Sequence, residues 1–172
     1  MKRFLFLIIA FAGAAFAVSG DPVVDGKIDA GEYAHSRSLL GDKVVLSWQS
    51  GSDGGLFVAV SAMTKGWVAV GLGSAKMEGS TIYIGSIGAD GNPVFSEDAG
   101  KGHGHAPVSR KTVDQSAVGR EGEWTTVEIH IPAASLPFTD RLTAFIVAYA
   151  GSISLTNWHG LFNHASGTLD LP

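Results

Sequence analysis

Two methionines and six histidines carry most of the soft or nitrogenous ligand chemistry in this chain after its first twenty residues. The histidines are His35, His103, His105, His130, His159 and His164; the methionines are Met63 and Met77. Met77 stands between Lys76 and Glu78 in a glycine-rich turn, "GLGSAKMEGS", after an apolar run. Methionines that only fill core gaps sit inside apolar periodicity. A thioether at the tip of a polar loop is therefore either an edge residue folding back over the protein or a ligand. Near the end, "NWHGLFNHASGTLDLP" sets His159 and His164 among Trp158, Leu161 and Phe162. A thioether and an imidazole at one end of a fold, with aromatics between them, make an axial pair for b-type haem. Such a pair raises the reduction potential of iron and suits electron transfer, because both axial positions are filled.

The remaining candidates are weaker. His103-Gly104-His105 places two imidazoles one residue apart, a spacing that can share copper or zinc. It reads equally as a solvated loop tip, and no third ligand is evident in sequence. His130 alternates with Trp124, Thr126 and Glu128, opposite Val127, Ile129 and Ile131, which predicts that it faces solvent. His35, beside Ser36 and Arg37, is expected to face solvent as well, and Met63, ending an apolar strand, to pack in the core. Enzyme signatures are missing: Gly71-Leu72-Gly73 lacks the third glycine of a dinucleotide loop, and neither G-x-S-x-G nor H-E-x-x-H occurs. The absence of cysteine excludes disulfides, a lipoprotein anchor and the C-x-x-C-H attachment of c-type haem.

What must position these residues is a set of short strands. Segments 44–48, 56–62, 67–72, 81–87, 125–131 and 142–150 are rich in Val, Ile and aromatics and bounded by Gly, Asp, Asn or Pro. Glycine supplies 23 of the 172 residues, and no helical apolar period persists beyond a single turn at 133–136. The expected fold is all-β: a single-domain antiparallel β-sandwich, immunoglobulin-like in its two-sheet architecture. The longest irregular stretch is expected at 97–114.

The first residues, MKRFLFLIIAFAGAAFA, read as a secretory signal peptide (1–17), cleaved between 17 and 20. The expectation is a secreted or periplasmic protein, residues 18–172, without a permanent membrane anchor. Without Lys2 and Arg3 the 12 basic residues fall to 10 against 16 acidic, a net charge of −6. No Lys/Arg cluster opposes that balance, so nucleic acid is not an expected partner.

Three blocks carry a resemblance to the DOMON domain family, whose haem-binding members include the cytochrome domain of cellobiose dehydrogenase. "DGKIDAGEY" (25–33) resembles the opening segment of the family, and "WHGLFNHASGTLDL" (158–171) its histidine-bearing end. Residues 44–85, with G-W-x-A-x-G-x-G followed by a methionine, are similar to its middle pattern. The resemblance implies non-covalent haem b ligated by Met77 and His159, with Trp67, Trp158 and Phe162 around it. His164 is the alternative ligand; if residues 159–171 run extended, His159 travels with the apolar face and His164 with the polar one. The chain would then be an electron carrier, not an enzyme, serving a separate redox partner protein. Relatives without haem imply the other reading, a carbohydrate- or small-ligand-binding module; copper at His103/His105 is a minor alternative.

Overall fold

Short runs rich in valine, isoleucine and aromatics, each closed by turn residues, build the strands of the central core. The computed structural model describes residues 20–138 and 142–171, and the leader expected at 1–17 lies outside them. In chain order the strands are β1 (His35–Leu39), β2 (Val44–Ser50), β3 (Leu56–Met63), β4 (Val68–Leu72), β5 (Thr81–Ile87) and β6 (Pro93–Lys101). There follow β7 (Gly104–Pro107), β8 (Gln115–Glu121), β9 (Trp124–Ile131), β10 (Leu142–Tyr149) and β11 (His164–Asp170), with one 3-10 turn at Ala133–Ser135. They form two antiparallel sheets, ordered β1-β2-β3-β9-β8 and β11-β10-β4-β5-β6-β7. The sandwich expected from sequence is the fold.

All six expected strands are present within two residues of their expected ends. The irregular stretch expected at 97–114 is mostly a hairpin: β6 turns at Gly102-His103 into β7, with Lys101 opposite Gly104. Its glycines and histidines hide the alternation that pairs it.

Val44, Leu46, Val58, Val60, Val127, Ile129 and Ile131 face Val68, Val70, Leu72, Tyr83, Phe145, Val147 and Leu169 across the sandwich. Several strands are buried on both faces, which explains why 56–62 and 68–72 read as continuous apolar runs. Each sheet has a roof over its outer face. Residues 20–34 cover the five-stranded sheet, where Val24 and Ile28 pack against Tyr33, Phe57 and Ala59. Loops 73–80 and 151–163 cover the six-stranded sheet, where Met77 and Leu155 pack against Trp67, Ala69, Ile82, Ile84 and Ala150.

The outer face of the five-stranded sheet corrects two expectations. His130 is 5 % exposed, not solvent-facing, because Phe57 and the segments that carry Asp53 and Asp114 close around it. Its Nδ1 lies 2.7 Å from Asp114 Oδ1, and its ring stacks on Phe57 at 4.2 Å. Met63 is 49 % exposed, because β3 runs past the roof before it ends. His35 is exposed, as expected, and stacks on Trp48.

The roof approaches so closely that glycine is required on both sides. A Cβ on Gly119 would lie 2.2 Å from the carbonyl oxygen of Gly26, which has φ +90°. Gly119→Ala must therefore lift the segment off β8, at a cost of about 1–3 kcal/mol, the usual range for overpacking. Urea denaturation checks this; an unchanged midpoint would show that the contact is loose. No helix among the described residues is long and apolar enough to cross a membrane.

Candidate functional site

The outer face of the six-stranded sheet holds the chemistry. Ala69 and Gly71 of β4, Ile82 and Ile84 of β5, and Ile146 and Ala148 of β10 floor an apolar recess of about 40 Å³, walled by Trp67, Met77, His105 and His159. A wider cleft of about 650 Å³ lies beside it, lined among others by Lys76, Met77, Glu78, His103, Ile146, Trp158, His159, Leu161 and His164. Met77, Ile146 and His159 line both. The larger volume falls within the roughly 300–1,000 Å³ typical of small-molecule and cofactor sites.

Met77 reaches the cleft because its loop is fastened to β6. Gly79 N–H donates to Gly100 O (3.2 Å), Gly100 N–H to Ser80 O (2.9 Å), and the Ser80 hydroxyl to Met77 O (2.7 Å). A Cβ on Gly100 would stand 1.7 Å from Met77 O, so only glycine allows the loop to lie this flat. Gly73 and Gly79, both at positive φ, turn the chain at either end. The polar loop thus presents its half-buried thioether to the apolar face while Lys76 and Glu78 stay exposed.

His159 arrives on the second loop of this cover. Loop 151–163 is tied down by Trp67 N–H to Ser152 O (2.9 Å), Trp67 Nε1–H to Asn157 O (3.1 Å) and Ser86 Oγ–H to Ile153 O (2.8 Å). Trp67 is 4 % exposed and meets the His159 ring edge-on at 6.3 Å. His159 Nδ1 lies 2.6 Å from Gly160 O. A carbonyl only accepts, so Nδ1 carries the proton and donates, which leaves the Nε2 lone pair open. Metal-ligating histidines are commonly oriented in this way. Burial lowers the His159 pKa below the ordinary histidine value, which favours the neutral ring.

The extended run expected from 159 to 171 is not observed: β11 begins at His164, and Gly160 has φ +85°. Within β11 alternation holds, with Ala165, Gly167 and Leu169 more buried than His164, Ser166 and Thr168. The cleft, however, lies on the outward face. His164, opposite Ala148 in the ladder, faces it too, with its ring 5.0 Å from that of His159. Alternation therefore does not separate the two histidines, whereas the tautomer and the recess do, since the recess reaches His159 and not His164. Trp158, 69 % exposed, lines the wide cleft; Phe162, 86 % exposed, lines neither cavity.

His103 and His105 separate. His103 is exposed at the hairpin turn, while His105 turns onto the sheet, its Nδ1 2.5 Å from Asp98 Oδ2. Among the described residues no group of three or more His, Cys, Asp or Glu is arranged to hold a metal ion, so the copper alternative gains no support. Sequence reasoning did not find Asp98, whose alternation with Ser96 along β6 was hidden in the stretch read as irregular.

Two loops over the outer face of the six-stranded sheet, one bringing a thioether and the other an imidazole, invite comparison with known folds. Searches against protein families and curated proteins give no match. Among solved structures the chain is similar to the cytochrome b domain of pyranose dehydrogenase from Coprinopsis cinerea, with a TM-score of 0.58 and 14 % identity, covering 78 % of this chain and 80 % of that one. It is also similar to the cytochrome domain of Myriococcum thermophilum cellobiose dehydrogenase, with a TM-score of 0.56, 10 % identity and 75 % coverage of each chain. The chain shares the fold of these cytochrome domains. At such low identity the likeness is one of fold alone, and what the cleft holds must be argued from its own residues.

Those residues fit a haem. The donors are one soft thioether and one imidazole with its Nε2 open, the floor is aliphatic, and no cysteine is present for a covalent tether.

Proposed function

We propose that this is an exported b-type cytochrome, a carrier of single electrons, not a catalyst. The observation that carries the reading is that Met77 and His159 line the same two adjoining cavities from separate loops. Met77 Sδ and His159 Nε2 would hold the iron. Bound haem supplies a one-electron couple, whose potential the thioether raises and whose burial the protein sets. The chain supplies the rest. Gly160 O keeps His159 in the ligating tautomer, and Trp67 braces its ring. Ala69, Ile82, Ile84 and Ile146 keep water from the inner recess, while Trp158 stands at the open side of the cleft.

The partner we propose is a separate redox protein. A net charge of −6 for residues 18–172 favours approach by a basic surface, an attraction that falls with ionic strength.

The test is colour. Protein purified from haem-sufficient cells should be red, with a low-spin spectrum and a haem that acidic organic solvent extracts completely. A folded, colourless preparation that takes up no added haem would sink the proposal and promote the small-ligand reading.

A further inference from the structure

His105 has no part in the scheme above, yet it is built with care. Asp98 is 3 % exposed and accepts from the Ser96 hydroxyl at Oδ1 and from His105 Nδ1 at Oδ2, the latter at 2.5 Å. The β6–β7 hairpin is already held by its own ladder, through Asp98–Pro107 to Lys101–Gly104. Burying a carboxylate and an imidazole beside an aliphatic recess costs solvation that the hairpin does not need. What the pair achieves is orientation. With Nδ1 directed at the carboxylate, Nε2 is the free nitrogen of a ring that lines the recess. A carboxylate behind an imidazole fixes its rotamer and raises its basicity as a ligand.

The side from which His105 enters matters. The Met77 loop is bolted to Gly100, and Gly100 is the cross-strand partner of His105. Thioether and imidazole are thus both anchored at the β6–β7 end, whereas His159 comes from the loop fastened to Trp67. We propose that His105 is a reserve axial ligand on the Met77 side: when the thioether leaves the iron, His105 Nε2 replaces it. One dative bond breaks and another forms, with no electron or proton transferred. The site then has two ligand states, Met/His and bis-His, and the second has the lower potential because imidazole favours ferric iron more than a thioether does. This inference rests on the haem reading.

The test uses the full mature protein loaded with haem, read by visible absorption and electron paramagnetic resonance. Met77→Ala should lose the sulfur-to-iron charge-transfer band yet remain low-spin with a bis-imidazole signature. Met77→Leu, which preserves side-chain volume, should behave the same, so that a packing defect in the alanine variant is recognised. Met77→Ala/His105→Ala should turn high-spin, while Met77→Ala/His103→Ala should stay low-spin. High-spin spectra in both single variants would overturn the proposal and leave the haem reading standing. So would a low-spin Met77→Ala/His105→Ala protein, which would hand the role to another group. A wild type that takes no haem would overturn both.

Discussion

His159→Ala should abolish the low-spin spectrum, and His164→Ala should retain it. The two rings lie 5.0 Å apart and both border the wide cleft, so proximity does not separate them. Three observations favour His159. Its Nδ1–H is committed to Gly160 O, which leaves Nε2 as the ligating atom. Its ring is braced by buried Trp67 and extends into the apolar recess that Met77 also lines. Burial lowers its pKa, so the lone pair an iron needs stays unprotonated to lower pH than in a free histidine. His164 is exposed at the first residue of a strand, and among the described residues no hydrogen bond holds its ring in one tautomer. Loss of the imidazole leaves the iron without its ligand from loop 151–163, so the low-spin signal should vanish, not merely weaken. Retention of low-spin iron in His159→Ala together with its loss in His164→Ala would transfer the role.

The contrast between these histidines also shows what sequence can carry. Runs of valine, isoleucine and aromatics between turn residues located six strands. Alternation within a strand misled wherever an outer face was roofed. Thr126, Glu128 and His130 alternate with valine and isoleucine like a solvated face, yet a distant segment, 20–34, lies over part of it. For His159 the extended-chain premise failed at Gly160, and apolar company proved a poor guide to the cleft, which lies on the outward face of the sheet. Met77 stands out in sequence because a soft side chain among charges and glycines is unusual, and its loop turns it onto the apolar face. Asp98 and its hydrogen bond to His105 were not, because that pairing exists only once β6 and β7 are in register.

Glu128→Ala should cost about 3–5 kcal/mol, the largest stability loss expected from one exposed-looking position. Glu128 is fully buried on β9. Its Oε2 accepts from the backbone N–H groups of Asp25 (3.1 Å), Gly26 (2.7 Å) and Lys27 (3.0 Å), and its Oε1 from the Tyr33 hydroxyl (2.8 Å). The "DGKIDAGEY" segment is therefore the clasp of the first roof: glycine for the close approach, three donors for the carboxylate, tyrosine for its other oxygen. Alanine leaves three donors short of a partner, since Lys27 N–H keeps Asp25 Oδ1 (2.9 Å), whereas Glu128→Gln keeps one oxygen for the backbone donors and an amide that can donate to the Tyr33 oxygen. The glutamine variant should thus lose much less than the alanine one, and equal losses would show that charge, not donor satisfaction, holds the clasp. The pH dependence has a definite sign. Burial raises the Glu128 pKa in spite of its donors, so the folded state holds this proton more tightly than the unfolded chain. Its contribution is complete below the unfolded value of about 4.3 and is lost as pH rises through the folded one. The stability of the wild type relative to Glu128→Gln should therefore increase on acidification from neutral pH, measured by urea midpoints across the range. A difference that shrinks instead would mean that the four donors outweigh burial and that the carboxylate is held ionised.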